Sequence, residues 1–472
     1  MRTLPLRIAG EEIETGAWFE VRSPDTGAVV ARAAKAGPGE IDRAIASAAA
    51  AFAQTRALPS HRRAAILRET AQRLDAQREA LLAAMIGEAR KPRKWAEAEI
   101  ARAAITLRLS AEEATRVGGE VVPVDLEPRG EGAFCVVRRF PVGLVTAITP
   151  FNFPLNLVAH KLGPAVAAGN PVIVKPSPRT PTTADLLVRA LEASGWPAGG
   201  VSIVHADPDV ARALWTDPRV RLVSFTGSDE VGWRIKAEAA TKKVTLELGG
   251  NAAAIVCADA DVEDAAAKLA VAAYAYSGQV CIKAQRLYVA RPVAQRFVEA
   301  FLEAARRMVP ADPGDKDTVL GPMIDAAAAD RVASWVEEAR GAGAKILLGP
   351  KREGARLWPV LAADVPKGTK IRDREVFGPV ATLDVFDDLD AAIADANDSP
   401  YGLQASVFTH DMRTALAAFE RLEVGGVIVN DSPAIRIDNF PYGGVKASGF
   451  GREGVRWAIE EMTEPRTLFL RP

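Results

Sequence analysis

The sequence predicts an α/β protein with two parallel-sheet domains and a projecting β-hairpin arm, and three observations carry that prediction. The first is length: 472 residues exceed what one ordinary core accommodates, so two or three domains are expected. The second is the alternation, from Val142 onward, of short β-branched runs with helical stretches, which is the pattern of parallel strands joined by crossover helices. The third is composition. With 49% hydrophobic and 25% charged residues the chain has the balance of a globular protein, and disorder is not expected.

Taken in order, the first thirty-odd residues read as short strands and turns, with Ser23-Pro24-Asp25-Thr26-Gly27 as a turn signal. Three helices are predicted near 39–57, 60–88 and 93–116, where Ala, Leu and Ile recur at helical period against Arg and Glu. Their alanine content suits close packing on a larger layer, and the region reads as a helical cover without chemistry. Residues 120–140 read as two strands joined by the Gly-rich turn Arg129–Gly132. A lone hairpin is marginal, so it must lean on something else, and a partner subunit fits.

The first alternating region has β-runs at Leu144–Ile148, Val172–Lys175, Val201–Val204, Leu222–Phe225 and Val244–Glu247. Among its helices is 182–194, with Thr180 as N-cap and Pro181 in the first turn. Ligands bind at the carboxyl ends of such strands, where Asn152, Lys175, Gly227 and Glu247 fall. A second region has strands at Ala253–Cys257, Arg286–Ala290, Ala381–Val385 and Gly426–Asn430, with helices near 262–276, 292–308 and 325–342. The tail Glu464–Leu470 reads as a strand that pairs outside its own domain.

Charge and cysteine usage narrow the function. A formal charge of -1, from 59 basic and 60 acidic side chains, gives no reason to expect nucleic acid or an anionic membrane as partner. Cys135, Cys257 and Cys281 are odd in number and far apart, which fits a reducing compartment better than a disulfide framework. Four scattered histidines offer no metal spacing. The start lacks the apolar core of a signal peptide and no run of eighteen apolar residues occurs, so a cytoplasmic protein is expected.

The chemistry is placed at Tyr276–Arg286. Cys281 follows Gly278-Gln279 and precedes the apolar run Leu287–Ala290, where a loop feeding a buried strand can hold a thiol against a cleft wall. Cys135 and Cys257 read as packing. Phe225-Thr226-Gly227-Ser228-Asp229-Glu230-Val231-Gly232 runs from strand into helix; its two glycines let backbone approach a ligand closely, and the helix N-terminus offers N–H groups to a pyrophosphate. It is not the full GxGxxG fingerprint.

Five motifs in register resemble the aldehyde dehydrogenase superfamily over nearly the whole chain. They are Phe151-Asn152-Phe153-Pro154, Leu246–Gly250, Gly278–Cys281, Glu375–Pro379 and the ending Phe440–Gly454, similar to the family's anchoring loop. The resemblance is nearest to its lactaldehyde dehydrogenase-like, non-acylating branch, through Val429–Ser432 and Arg436–Gly444. It implies two Rossmann-like domains: 1–119 with 141–246 for the cofactor, and 247–440 for catalysis. It also implies an arm formed by 120–140 and 460–472 that makes a homodimer or homotetramer, and an anchor loop and return segment at 441–459.

The resemblance implies roles as well. Cys281 attacks the aldehyde carbon, and thiolate sulfur is a good nucleophile near neutral pH. The Asn152 side chain and the Cys281 N–H would receive the oxyanion; one such donor is typically worth about 2.7–4 kcal/mol. Glu247 would activate water for thioester hydrolysis. For the cofactor, NADP or NAD, it implies Thr149, Pro150, Lys175, Ser177 and Arg179 on one side. On the other it implies Gly227, Ser228, Gly249, Glu375 on the nicotinamide ribose, and Phe377 against the ring.

Two departures bear on specificity. Where the family has an acidic residue three positions after the strand-end lysine, this chain has Pro178 and then Arg179. That removes an acceptor for the ribose 2′-hydroxyl and a repulsion against a 2′-phosphate, so NADP is expected to be accepted. The arginines of succinate semialdehyde dehydrogenases are replaced by His160 and Ala275, which disfavours a dicarboxylate semialdehyde. His160, Phe153 and Arg436 are the candidate substrate contacts. The expected substrate is a small polar aldehyde such as lactaldehyde or glyceraldehyde. An aldehyde bearing a phosphonate, sulfonate or phosphate is the rival that gives Arg436 a partner. Transfer to coenzyme A is disfavoured by Glu247, and a non-catalytic member of the fold by the presence of both thiol and base.

Overall fold

The computed structural model describes residues 1–471; residue 472, the last of the predicted arm, lies outside them. Two large sheets organise the chain. In the first, five parallel strands run in the order Lys243–Glu247, Leu222–Thr226, Val145–Ile148, Val172–Lys175 and Val201–Ile203. Their register aligns Ile148 with Lys175 and Thr226 with Glu247, so the carboxyl ends form one edge. Antiparallel additions extend both sides: Leu6–Ile8 and Glu11–Ile13 at one, Gly449–Phe450 beside Lys243–Glu247 at the other.

The second sheet has seven strands in the order Lys345–Leu348, Val360–Ala363, Val380–Phe386, Arg286–Ala290, Ala253–Val256, Gln404–Phe408 and Gly426–Val429. All neighbours are parallel except the first pair. The central strands of both sheets are buried on two faces, which is why they read as continuous apolar runs. A third sheet, Thr463–Leu470 against Phe134–Pro141 against Gly119–Val121, is the projecting arm. The tail thus pairs with the hairpin.

Helices follow the predicted periods with three corrections. The stretch 60–88 is two helices, Ser60–Ala76 and Arg78–Ala89, with Gln77 off helical geometry (φ -98°, ψ 14°). Backbone bonds from Gln77 N–H to Arg73 and from Leu81 N–H to Gln77 continue across the kink, so the apolar period runs through it unbroken. Thr180 does not cap the helix Thr182–Ala193: its buried hydroxyl has no hydrogen-bond partner. The buried Glu88 carboxylate accepts from the Thr182 N–H and hydroxyl instead. Third, the helix from Val262 stops at Tyr274 and tightens into the 3₁₀ turn Ala275–Gly278, where Tyr276 and Ser277 take left-handed backbone (φ 51° and 57°).

The helix Arg93–Ala114 packs Ala103, Leu107 and Ala111 against Val158, Leu162 and Val166 of the helix Asn156–Ala168. Burying a leucine fully is worth roughly 1.5–3 kcal/mol, so this contact fixes the loop that precedes Asn156. Cys135 and Cys257 are buried and unpaired. Among the described residues no helix is long and apolar enough to cross a membrane, and no group of three or more His, Cys, Asp or Glu side chains is placed to hold a metal ion.

Candidate active site

Cys281, Asn152 and Glu247, drawn from three distant stretches, line one cavity of about 430 Å³. Cys281 lies just past the 3₁₀ turn, which is pinned by Ser277 Oγ donating to the Gly321 carbonyl (2.6 Å) and by the Ile324 N–H donating to Gln279 Oε1 (2.8 Å). Its thiol is partly exposed on the cavity wall, 3.2 Å from the Tyr442 hydroxyl. Burial pushes it up to about 11, with Tyr442 and Arg436 pulling the other way. Cys281 therefore rests as a thiol, which must shed its proton before it can act as a nucleophile.

Asn152 follows the strand Val145–Ile148. Its Nδ2 donates one hydrogen to the Gln279 carbonyl (3.0 Å) and keeps a second, while Oδ1 is buried without a partner. The loop is held from below. Lys91 Nζ donates to the Asn152 carbonyl (2.8 Å), sits 3.7 Å from the centre of the Phe153 ring, and is ion-paired with Glu99 where neither side chain is exposed. Glu99 Oε1 in turn accepts from the Leu155 and Asn156 N–H groups at 2.8 and 3.0 Å, capping the helix Asn156–Ala168.

Glu247 ends the edge strand of the five, buried, with Oε2 unpartnered. Burial and the nearby Glu453 carboxylate raise its pKa well above the usual range, against Arg436, Lys161 and Arg452. Gly443 adjoins it: a Cβ there would sit 2.8 Å from Glu247 Oε1, and its φ of +151° also favours glycine. Consecutive residues Tyr442 and Gly443 thus flank thiol and carboxylate.

The predicted cofactor residues divide into two groups. Pro150, Gly227, Ser228, Gly249, Glu375 and Phe377 line the same cavity. Lys175, Ser177, Arg179 and Thr149 do not line it, although the Thr149 N–H donates to the Lys175 carbonyl (3.2 Å) at the sheet edge. Arg179, expected at a 2′-phosphate, pairs with Asp325 at 2.6 Å, both partly exposed. Glu375 is pushed up to about 7 by burial and accepts from the Gly250 N–H (3.1 Å). A Cβ on Gly249 would fall 2.5 Å from Glu375 Oε2, so backbone and carboxylate meet where only glycine fits. A Gly-Ser strand-to-helix turn, a glycine-backed carboxylate and an aromatic wall are a donor set that fits a nicotinamide dinucleotide.

On the substrate side, Phe153 and Arg436 line the cavity as expected. His160 does not. Its ring is fully buried, with Nε2 2.8 Å from Asp438 Oδ1, and it cannot reach a substrate hydroxyl without unpacking its helix. Arg436 both reaches the cavity and braces the return segment: it pairs with Glu453 (2.9 Å) and lies over the Tyr442 ring at 3.8 Å. Glu453 also accepts from Lys161 (2.8 Å). Although burial opposes it, Lys161 and Arg436 keep Glu453 ionised, below the usual carboxylate range.

Sequence reasoning missed Arg102, which lines the cavity from the supposed cover helix and is held by Asp438 at 2.6 and 3.1 Å. A signal was present: Glu99, Thr106 and Ser110 fall on the buried face of that helix beside Ala103 and Leu107. Polar side chains there need partners: Glu99 and Thr106 find theirs at Leu155 and Asn156 beside the site, whereas Ser110 bonds back to the Thr106 carbonyl.

Comparison with known proteins agrees with the geometry. The sequence profile of the Aldehyde dehydrogenase family matches residues 12–468. The 3-sulfolactaldehyde dehydrogenase of Priestia megaterium is 42% identical over 466 residues, covering 98% of this chain and 97% of that protein. Aldehyde dehydrogenase 21 from Physcomitrella patens, solved with the reaction product succinate, superposes with a TM-score of 0.97 at 39% identity, covering 100% of this chain and 98% of its own. The NADP-dependent glyceraldehyde-3-phosphate dehydrogenase from Bacillus halodurans, solved with NADP, gives a TM-score of 0.97 at 33% identity over 100% of both chains. The fold and its thiol-bearing cleft are those of an oxidoreductase acting on aldehydes. The chain belongs to the aldehyde dehydrogenase family.

Proposed function

We propose that this enzyme oxidises a small aldehyde bearing a sulfonate or phosphate group to the carboxylic acid, with NADP or NAD as acceptor. The observation that carries this reading is that Arg102 and Arg436 open onto the same cavity as Cys281. Across the cluster, Arg102 is balanced by Asp438, whereas Arg436 and Lys161 share Glu453, which leaves one positive charge for Glu247 or an anionic substrate to meet. The names of the Priestia and Bacillus relatives point the same way. A neutral polar aldehyde such as lactaldehyde is the second reading, favoured by the fact that each guanidinium already has a carboxylate partner.

In this reading Cys281 gives its proton to Glu247 and its sulfur bonds to the aldehyde carbon, while the free Asn152 Nδ2 hydrogen and the Cys281 N–H receive the oxyanion. A nicotinamide held there would supply the hydride acceptor, and Cys281 would then carry the acyl group as a thioester. Once Glu247 has passed the thiol's proton to solvent it takes a proton from water, whose oxygen adds to the thioester carbon; the C–S bond breaks, the thiolate of Cys281 regains a proton from Glu247, and the acid leaves. Gly227, Ser228, Gly249, Glu375 and Phe377 would hold the pyrophosphate and nicotinamide ends, and Thr149, Pro150, Lys175, Ser177 and Arg179 the adenosine side. Residues 1–119 and 141–246 then form the cofactor domain and 247–440 the catalytic domain. The arm at 120–140 and 460–472 joins copies, and three free cysteines suit a reducing cytoplasm.

The test compares kcat/KM for 3-sulfolactaldehyde, glyceraldehyde 3-phosphate and lactaldehyde in wild type, Arg102→Lys and Arg436→Lys. Losing one arm of a charged hydrogen bond costs about 1.5–3 kcal/mol, so each variant should lose roughly 10- to 150-fold on the anionic substrates and little on lactaldehyde. Equal loss on all three, or a wild-type preference for lactaldehyde, would overturn the anionic reading.

A further inference from the structure

The mechanism does not use Gln285, four residues past the nucleophile. It is fully buried, and its side-chain amide is spent on one segment. Oε1 accepts from the Val376 N–H (3.0 Å), and Nε2 donates to the carbonyls of Arg374 (2.6 Å) and Ile371 (3.1 Å). Those bonds flank Glu375 on both sides and end at the residue before Phe377. Nearby, Lys283 Nζ donates to the Val380 carbonyl at 2.7 Å, so the loop carrying Cys281 grips the same segment at both ends.

Phe377 explains why a grip is needed. It takes left-handed backbone (φ 47°), which is costly for a residue with a Cβ and persists only where neighbours over-determine it. The preceding residue is fixed on both sides: the Val376 N–H by Gln285 and the Val376 carbonyl by Arg331 Nη2 (2.8 Å). Held so, Phe377 meets Phe151 edge-on at 5.8 Å on the cavity wall.

We propose that Gln285 is a positioning residue that locks Glu375 and the strained Phe377 to the nucleophile loop and so sets the distance between bound nicotinamide and the Cys281 sulfur. The proposal rests on the reading above that Glu375 and Phe377 hold the nicotinamide end. It makes Gln285 a determinant of cofactor binding and hydride transfer, and leaves thiol chemistry alone.

Gln285→Met removes all three side-chain bonds, and Gln285→Glu, as a protonated acid, keeps an acceptor and one donor. Three measurements are made on the full-length protein: NADPH affinity by fluorescence, aldehyde oxidation, and cofactor-free hydrolysis of p-nitrophenyl acetate, which needs Cys281 but no nicotinamide. NADPH affinity and aldehyde kcat should fall by about tenfold or more in Gln285→Met and less in Gln285→Glu, with ester hydrolysis within about twofold of wild type. Unchanged NADPH affinity would overturn the proposal, as would ester hydrolysis falling in step with it and with the melting temperature, the mark of a merely structural residue. If wild type binds NADPH but oxidises none of the aldehydes tried, the substrate reading fails while the affinity and ester measurements still decide this one.

Discussion

At the scale of single residues, the site couples two reluctant acids. Burial holds both Cys281 and Glu247 toward their neutral forms, the thiol at about 11 and the carboxyl well above its usual range. In the proposed mechanism the base is the ionised Glu247 carboxylate, whose fraction grows as pH rises through its raised pKa, so deacylation should speed up with pH across that range. Glu247→Gln should slow the burst of reduced cofactor, because Glu247 also takes the thiol proton, and then stall. Steady turnover should fall by about 10²–10⁴-fold, the usual worth of a general base, and lose that pH dependence. Rapid-mixing absorbance is the check, and steady turnover at the wild-type rate would remove Glu247 from its role. Cys281, Glu247 and Asn152 were legible as partners in one cleft because each lies in a short motif whose chemistry is local. His160 was legible only as a helical residue. Its partner Asp438 is 278 positions away, and no spacing rule links them.

At the scale of elements, strands and helices were read nearly to their ends where an apolar period marked them. The misread features are tertiary: Gln77 kinks without Pro or Gly, and Thr182 is capped by Glu88 of another helix. The cover helix was misjudged for the same reason. Its Glu99 and Arg102 look like surface charges until Asn152, Leu155 and Asp438 are placed beside them. The helix Ala326–Gly341 carries a prediction of its own. Its N-cap Asp325 uses Oδ1 on the Ala328 N–H (2.8 Å) and Oδ2 on Arg179, the residue proposed for the 2′-phosphate. Asp325→Asn keeps the cap and releases the guanidinium. An exposed pair of this kind is worth about 0.2–1 kcal/mol, so the ratio of kcat/KM for NADP over NAD should rise by roughly 1.5- to 5-fold. A fall in that ratio would detach Arg179 from the cofactor.

At the scale of the whole molecule, the arm stands apart from both sheets with apolar side chains in water. Leu468, Phe469 and Leu470 are 55%, 48% and 47% exposed although they close a paired strand, beside Phe134 at 48%. Such a surface fits a second copy of the chain. Leu468→Ser with Leu470→Ser should raise the dissociation constant of the oligomer by about 100-fold or more, since each buried leucine is worth roughly 1.5–3 kcal/mol. Sedimentation velocity reads this directly, and a wild-type monomer at micromolar concentration would refute it. The return segment after the arm's reach has a different consequence. Residues 442–453 place Tyr442 on the sulfur, Gly443 on Glu247, Gly449 on the strand that ends at Glu247, and Glu453 between Lys161 and Arg436. A saturation library scored for growth or turnover should therefore show a dense band of intolerance there, as sharp as the one around the cysteine some 160 positions earlier.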